Sequence, residues 1–219
     1  MMVHMIKRDY YINFLYVLII ILALPLIYWA QISPLFAYLG VIVGFIFNVF
    51  YYDNHNHVSR SIVSMPINKK QIVLGRYTFL FFVSILFLIY IWFIDMLVHY
   101  FAPSLSGLLP IIPYKPISIT SVLLVFAGIM LLISISIPIF YICQSFIKAL
   151  IIQGALLFIG PLAFAALGYF LDKIPEAFIN GIVDFIELQP ILIAITFSVV
   201  CLLVSYVIST WIFSRKDII

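Results

Sequence analysis

Three groups of side chains in this 219-residue sequence have types and spacing that chemistry could use. Asp53, His55 and His57 form a D-x-H-x-H cluster. In an extended loop alternate residues share a face, so these three could meet around a divalent cation. No fourth ligand is indicated, a solvated loop is the plainer reading, and no metal site is assigned. Asp95 and His99 stand four apart, the spacing that places two side chains on one helical face. A carboxylate inside an apolar segment costs on the order of a few kcal/mol. The pair is therefore a candidate proton relay or polar patch on a translocation path. The competing reading has both residues near the end of the segment, reaching lipid headgroups. Cys143 and Cys201 lack a CxxC pattern and neighbouring bases, and read as small apolar fillers. There is no nucleophile elbow, HExxH, dinucleotide glycine pattern or GxxxxGK[ST] in the sequence. No catalytic residue follows, and the chain cannot bind ATP through a P-loop of its own.

The elements that must hold these residues follow from composition. The chain is 66% hydrophobic and 9% charged, with a mean hydropathy of +1.28. A soluble domain is about 45–50% apolar and about 25% charged. So few charges exclude a soluble fold, two cysteines exclude a disulfide scaffold, and the apolar excess excludes disorder. The expectation is an all-α polytopic membrane protein, a single transmembrane domain over 1–219. A span needs roughly 20 residues. Six apolar stretches reach that length, at about 12–30, 32–51, 77–101, 117–141, 149–171 and 189–213. Runs such as Val17–Leu22 are apolar on both faces, which suits helices and not a barrel. The first run reads as a retained anchor, not a cleaved signal.

Placing both termini in the cytoplasm puts Lys7, Arg8, Arg60, Lys69, Lys70, Arg76, Lys148, Arg215 and Lys216 inside, against Lys115 and Lys173 outside, as short basic loops require. The inner connection 52–76 is the longest on that side, 142–148 is short, and 102–116 and 172–188 lie outside. Within 52–76, Val58, Ile62 and Met65 share a helical face, with Arg60 on another. A short amphipathic helix across the inner membrane face is one reading, and a charge-anchored loop is the other. Lys69, Lys70 and Arg76 then sit at the inner headgroup level as anchors to lipid phosphate. Residues 1–11 suit an interfacial helix or an ordinary basic flank. Residues 172–188 carry Asp172, Glu176, Asp184 and Glu187 with apolar residues at helical spacing, as in a small outer hairpin or an exposed loop. Pro25, Pro138 and Pro161, and Gly154, Gly160 and Gly168, fall inside spans, where they permit kinks, close packing or hinges.

Tyr52-Asp53 followed by Ser64-Met65-Pro66-Ile67-Asn68-Lys69-Lys70-Gln71-Ile72-Val73-Leu74-Gly75-Arg76-Tyr77 resembles a motif of the ABC type-2 permease family. Members carry an aspartate after the second span and then a stretch of the form SLP-I-x-R/K-K-x-I-V-x-x-K/R-Y; here Met65 replaces the leucine. The tail Ser214-Arg215-Lys216-Asp217 is similar to the family's short basic end. Within the family the chain most resembles small permease subunits of Gram-positive peptide exporters, such as those for phenol-soluble modulins.

The resemblance implies a role for each connection. The 54–65 segment would be a coupling helix whose Val58, Arg60, Ile62 and Met65 touch a cytoplasmic ATP-binding cassette ATPase. The 142–148 turn would be a second contact, and 172–188 would form outer re-entrant helices. ATP and Mg would be bound by the ATPase, with no cofactor in this chain. A second permease chain, the same or related, and membrane lipid complete the expected partners; no nucleic acid is among them. The expected location is a bacterial plasma membrane, and the expected cargo amphipathic peptides or lipid-like compounds. An intramembrane metal enzyme and a non-transporting immunity or scaffold protein are the alternative classes.

Overall fold

The computed structural model describes residues 2–30, 32–55, 69–101, 116–143, 145–156, 159 and 189–215. Among them the architecture is all-helical, with no strand. The helices are α1 (Met2–Ala23), α2 (Leu26–Trp29), α3 (Pro34–His55), α4 (Lys69–Phe101), α5 (Ile119–Ile142), α6 (Phe146–Leu156) and α7 (Pro190–Arg215).

Four of the described helices are long and apolar enough to cross a membrane: α3, α4, α5 and α7. They cover the expected spans at 32–51, 77–101, 117–141 and 189–213. The first expected span falls on the apolar half of α1 and continues through a break at Pro25 into α2. The basic flank ahead of that span belongs to the same continuous helix, because nothing in residues 2–23 interrupts the backbone ladder. The fifth expected span begins in α6, and its remainder lies outside the described residues apart from 159.

Helix α4 starts earlier than its apolar run, at Lys69, and has 33 residues. At ~1.5 Å per residue it extends about 50 Å. A hydrocarbon core is only about 30 Å thick. The first two turns, including Arg76, therefore extend the span. Helix α5 opens on Ser118, whose hydroxyl oxygen accepts from the Ser121 backbone N–H at 3.1 Å. This N-cap satisfies one otherwise unpaired donor.

The core lies between α3, α4 and α5. Tyr38, Ile42, Phe45, Ile46 and Val49 recur at spacings of three and four along α3 and form its buried face. Phe45 meets Phe79 and Phe87 of α4, and Phe50 stacks on Phe140 of α5 with ring centroids 4.2 Å apart. On the outer side of α4, Phe82, Leu86, Ile89, Phe93 and Met96 are exposed, a face that suits lipid. Helix α5 packs most extensively against α7.

One end of the bundle gathers the first turns of α1 and α4 with the last turns of α3, α5 and α7. Asp9, Asp53 and Arg76 meet there, Lys69 Nζ donates to the Ser214 carbonyl at 3.2 Å, and Tyr141 packs on Phe213. The opposite end joins α2, the end of α4 and the entry to α5 through Tyr28, Asp95 and Ile117. Thus α1, α3, α4 and α5 alternate in direction, and α7 runs parallel to α5.

Candidate functional site

The basic end holds a buried chain of alternating charges. Arg76 on α4 places Nη1 2.8 Å from Asp9 Oδ2 on α1, and its Nη2 donates to Asp53 Oδ2 on α3. Arg8 Nη2 lies 2.7 Å from Asp9 Oδ1. The Arg76 and Asp9 side chains are each only 3% exposed. Two guanidinium and two carboxylate groups sum to zero, which is how four charges can be held here. Removing one member of a buried pair strands the other at a cost of about 3–5 kcal/mol.

The network continues as a polar ladder down α1. Asn13 Nδ2 donates to the Asp9 carbonyl at 2.8 Å, and Asn48 Nδ2 of α3 donates to Asn13 Oδ1 at 2.8 Å. Asp9, Asn13 and Ile20 share the inward face of α1, and the buried Leu24 follows its last residue, so the buried side turns from polar to apolar along the helix. The geometry ties three helices at one point. Asp53 sits two residues before the end of α3, and Arg76 two turns into α4. Their pair closes the stem of the connection between those helices, and Asp9 fastens that stem to α1.

The other end is built around Asp95, which is fully buried. Tyr28 donates its hydroxyl to Asp95 Oδ1 at 3.0 Å, and the Ile117 backbone N–H donates to Oδ2 at 2.8 Å. His99 Nδ1 lies 2.9 Å from the Asp95 backbone oxygen and 3.5 Å from Oδ1. Asp95 faces inward, and it joins the end of α4 to the entry of α5. Between the two ends, the Tyr77 hydroxyl lies 2.6 Å from Ser205 Oγ and 2.9 Å from Ser209 Oγ, joining α4 to α7. Gln153 of α6 donates to Ser136 of α5.

The structure keeps Asp95 and His99 together, as their spacing predicts. Val58, Arg60, Ile62, Met65 and His57 lie outside the described residues, as does most of the 172–188 segment's surroundings and the segment itself. His55 is the last residue of α3. Of the three expected headgroup anchors, Lys69 binds the end of α7, Lys70 is exposed, and Arg76 is buried between two carboxylates. Asp53 is engaged by Arg76, and among the described residues no group of three His, Cys, Asp or Glu could hold a metal. The role of Asp9 was missed. The one available signal was a lone acid beside Arg8 at the head of an apolar run.

Residues 4–214 match the family described as "ABC-2 family transporter protein". The chain belongs to the ABC-2 transporter family. No curated protein and no solved structure matches it. For an ABC-2 permease the described features have a consistent reading. The chain is a multi-pass membrane transporter component, and membership implies an ATPase partner. The stem closed by Asp53 and Arg76 brackets the connection that resembles the family's motif, and Asp95 holds the entrance of the following helix at the far end.

Proposed function

We propose that this chain is the membrane subunit of an ATP-driven exporter, with six spans and both termini in the cytoplasm of a bacterial cell. The observation that carries the reading is the family match over 4–214, nearly the full chain. Charge placement supports the orientation. Every described Lys and Arg (Lys7, Arg8, Lys69, Lys70, Arg76, Lys148 and Arg215) belongs to the end of the bundle that also holds Asp9 and Asp53. Basic ends of short connections stay in the cytoplasm.

In this reading two permease chains enclose the path and two cytoplasmic ATPase subunits bind ATP and Mg. The 54–65 segment presents Val58, Arg60, Ile62 and Met65 to the ATPase. Lys69 and Lys70 sit at the level of inner-leaflet phosphate. A displacement of the inner connection reaches α1 through Asp53, Arg76 and Asp9, because a buried ion-paired cluster moves as a unit. Asp95 and His99 are the polar groups at the outer end of the path. The cargo is amphipathic peptide or lipid-like material, since the spans offer few polar groups to recognise a hydrophilic solute.

Purification in mild detergent tests the central claim: a P-loop ATPase should co-purify with the chain. Substituting Ile62→Asp together with Met65→Asp should abolish that association, and with it uptake of a fluorescent amphipathic peptide into inverted vesicles, while the chain stays in the membrane. Retention of both association and uptake would overturn the coupling assignment.

A further inference from the structure

A proline inside a helix removes one backbone N–H and leaves the carbonyl four residues earlier without its helical donor. In a bilayer that carbonyl cannot turn to water and must find another donor. Pro34 and Pro190 open helices, and Pro116 precedes α5. Among the described residues only Pro25 and Pro138 fall within apolar spans. The carbonyls they free are those of Ile21 and Ser134.

Both freed carbonyls are met by a hydroxyl from another helix. Tyr90 of α4 donates to the Ile21 oxygen at 2.7 Å. Ser205 of α7 donates to the Ser134 oxygen at 2.5 Å. Other hydroxyls also reach carbonyls between helices: Tyr38 bonds the Ser84 oxygen, and Ser198 the Ala127 oxygen. Those carbonyls lie in uninterrupted stretches of α4 and α5 and have their own helical donors. Only at Ile21 and Ser134 does the hydroxyl stand in for the missing N–H.

We infer that Tyr90 and Ser205 are positioning residues that latch two hinges, at Pro25 and Pro138, each supplying the hydrogen bond that the proline cannot. A helical N–H moves with its own helix; a hydroxyl on a neighbour does not. Bending at Pro25 is therefore coupled to the position of α4, and bending at Pro138 to that of α7. Ser205 is in turn bonded to Tyr77 of α4, so both latches lead to the same helix. Tyr77 and Tyr90 are about 20 Å apart along α4 at ~1.5 Å per residue. Helix α4 follows the inner connection directly, so a shift of α4 along its axis loosens both hinges together. The latch needs the transport reading only for its purpose.

Two measurements on the full chain, neither needing an ATPase, test it. The first is a thermal-unfolding double-mutant cycle. Tyr90→Phe should lower the folding equilibrium about three- to tenfold in the natural background and leave it nearly unchanged with Pro25→Ala, which restores the missing N–H. Ser198→Ala, at a carbonyl with its own donor, should cost the same in either background. The second uses Cys143, five residues beyond Pro138, as a reporter with Cys201→Ala to isolate it. Maleimide labelling of Cys143 should speed up about three- to tenfold with Ser205→Ala and return to the starting rate with Ser205→Thr, which keeps the hydroxyl. Equal Tyr90→Phe costs in both backgrounds, or a Cys143 rate indifferent to Ser205→Ala, would overturn the latch. If no ATPase co-purifies while both measurements behave as stated, the transport reading fails and the latch stands.

Discussion

Arg76 and Asp9 are far apart in the chain, yet their side chains meet at 2.8 Å in the protein interior. The same guanidinium binds Asp53, so one residue of α4 holds the start of α1 and the end of α3. A planar fork with five donors suits this task, and an ammonium does not.

Replacing Arg76 with Met should cost about 3–5 kcal/mol of stability, because it takes the cation from Asp53 and leaves the buried Asp9 with Arg8 alone. Arg76→Lys keeps the charge but not the fork, and should fall between Met and the natural residue. Adding Asp9→Asn to Arg76→Met should recover part of the loss. Thermal unfolding of purified protein reads all three, and a Lys variant as stable as the natural chain would contradict the bidentate role.

At the other end, Asp95→Leu leaves the Tyr28 hydroxyl and the Ile117 N–H without their acceptor. The expected loss is about 2–6 kcal/mol, at about 1–3 kcal/mol for each unsatisfied group. Tyr28→Phe should cost less, since the carboxylate keeps its bond to Ile117. Equal losses for the two variants would show that Tyr28, not Ile117, is the main partner.

Gly44 of α3 faces the Tyr16 hydroxyl of α1, and a Cβ placed there would run into that oxygen. The obstacle is the tip of a movable ring, so Gly44→Ala should be mild. Gly44→Leu should cost about 1–3 kcal/mol through overpacking. Tyr16→Phe should relieve part of the Leu cost by removing the oxygen. A Leu cost unchanged by Tyr16→Phe, again read by thermal unfolding, would place the strain elsewhere.

Orientation is tested by fusion. A fluorescent protein joined after Ile219 should fluoresce in the cytoplasm, and alkaline phosphatase at the same point should be inactive. The opposite pattern would invert the topology proposed from the basic residues.

The fold class was legible because lipid imposes a simple rule: long runs of apolar residues must be helices. The runs at 32–51, 77–101, 117–141 and 189–213 each became a long helix. The ends of helices were less legible, since a helix passes from lipid into the headgroup layer without a change in backbone. Thus α4 begins at Lys69, ahead of its apolar run. Asp95 stood out at once, as a carboxylate surrounded by apolar neighbours. Asp53 stood out as a loop residue beside His55 and His57, not as a partner of Arg76; Asp9 did not, because it sits among polar residues in sequence and is buried only by helices folded around it.

By itself the sequence determined the solvent, the helical class and the concentration of bases on one side, all of which follow from local composition. Only the tertiary structure decided the pairing: Arg76 with Asp9 and Asp53, Asp95 with Tyr28 and Ile117, Tyr90 and Ser205 with the carbonyls freed by Pro25 and Pro138. The reason is physical. Burial in lipid dictates that each of these polar groups have a partner, but which partner depends on the facing of helices that are far apart in the chain.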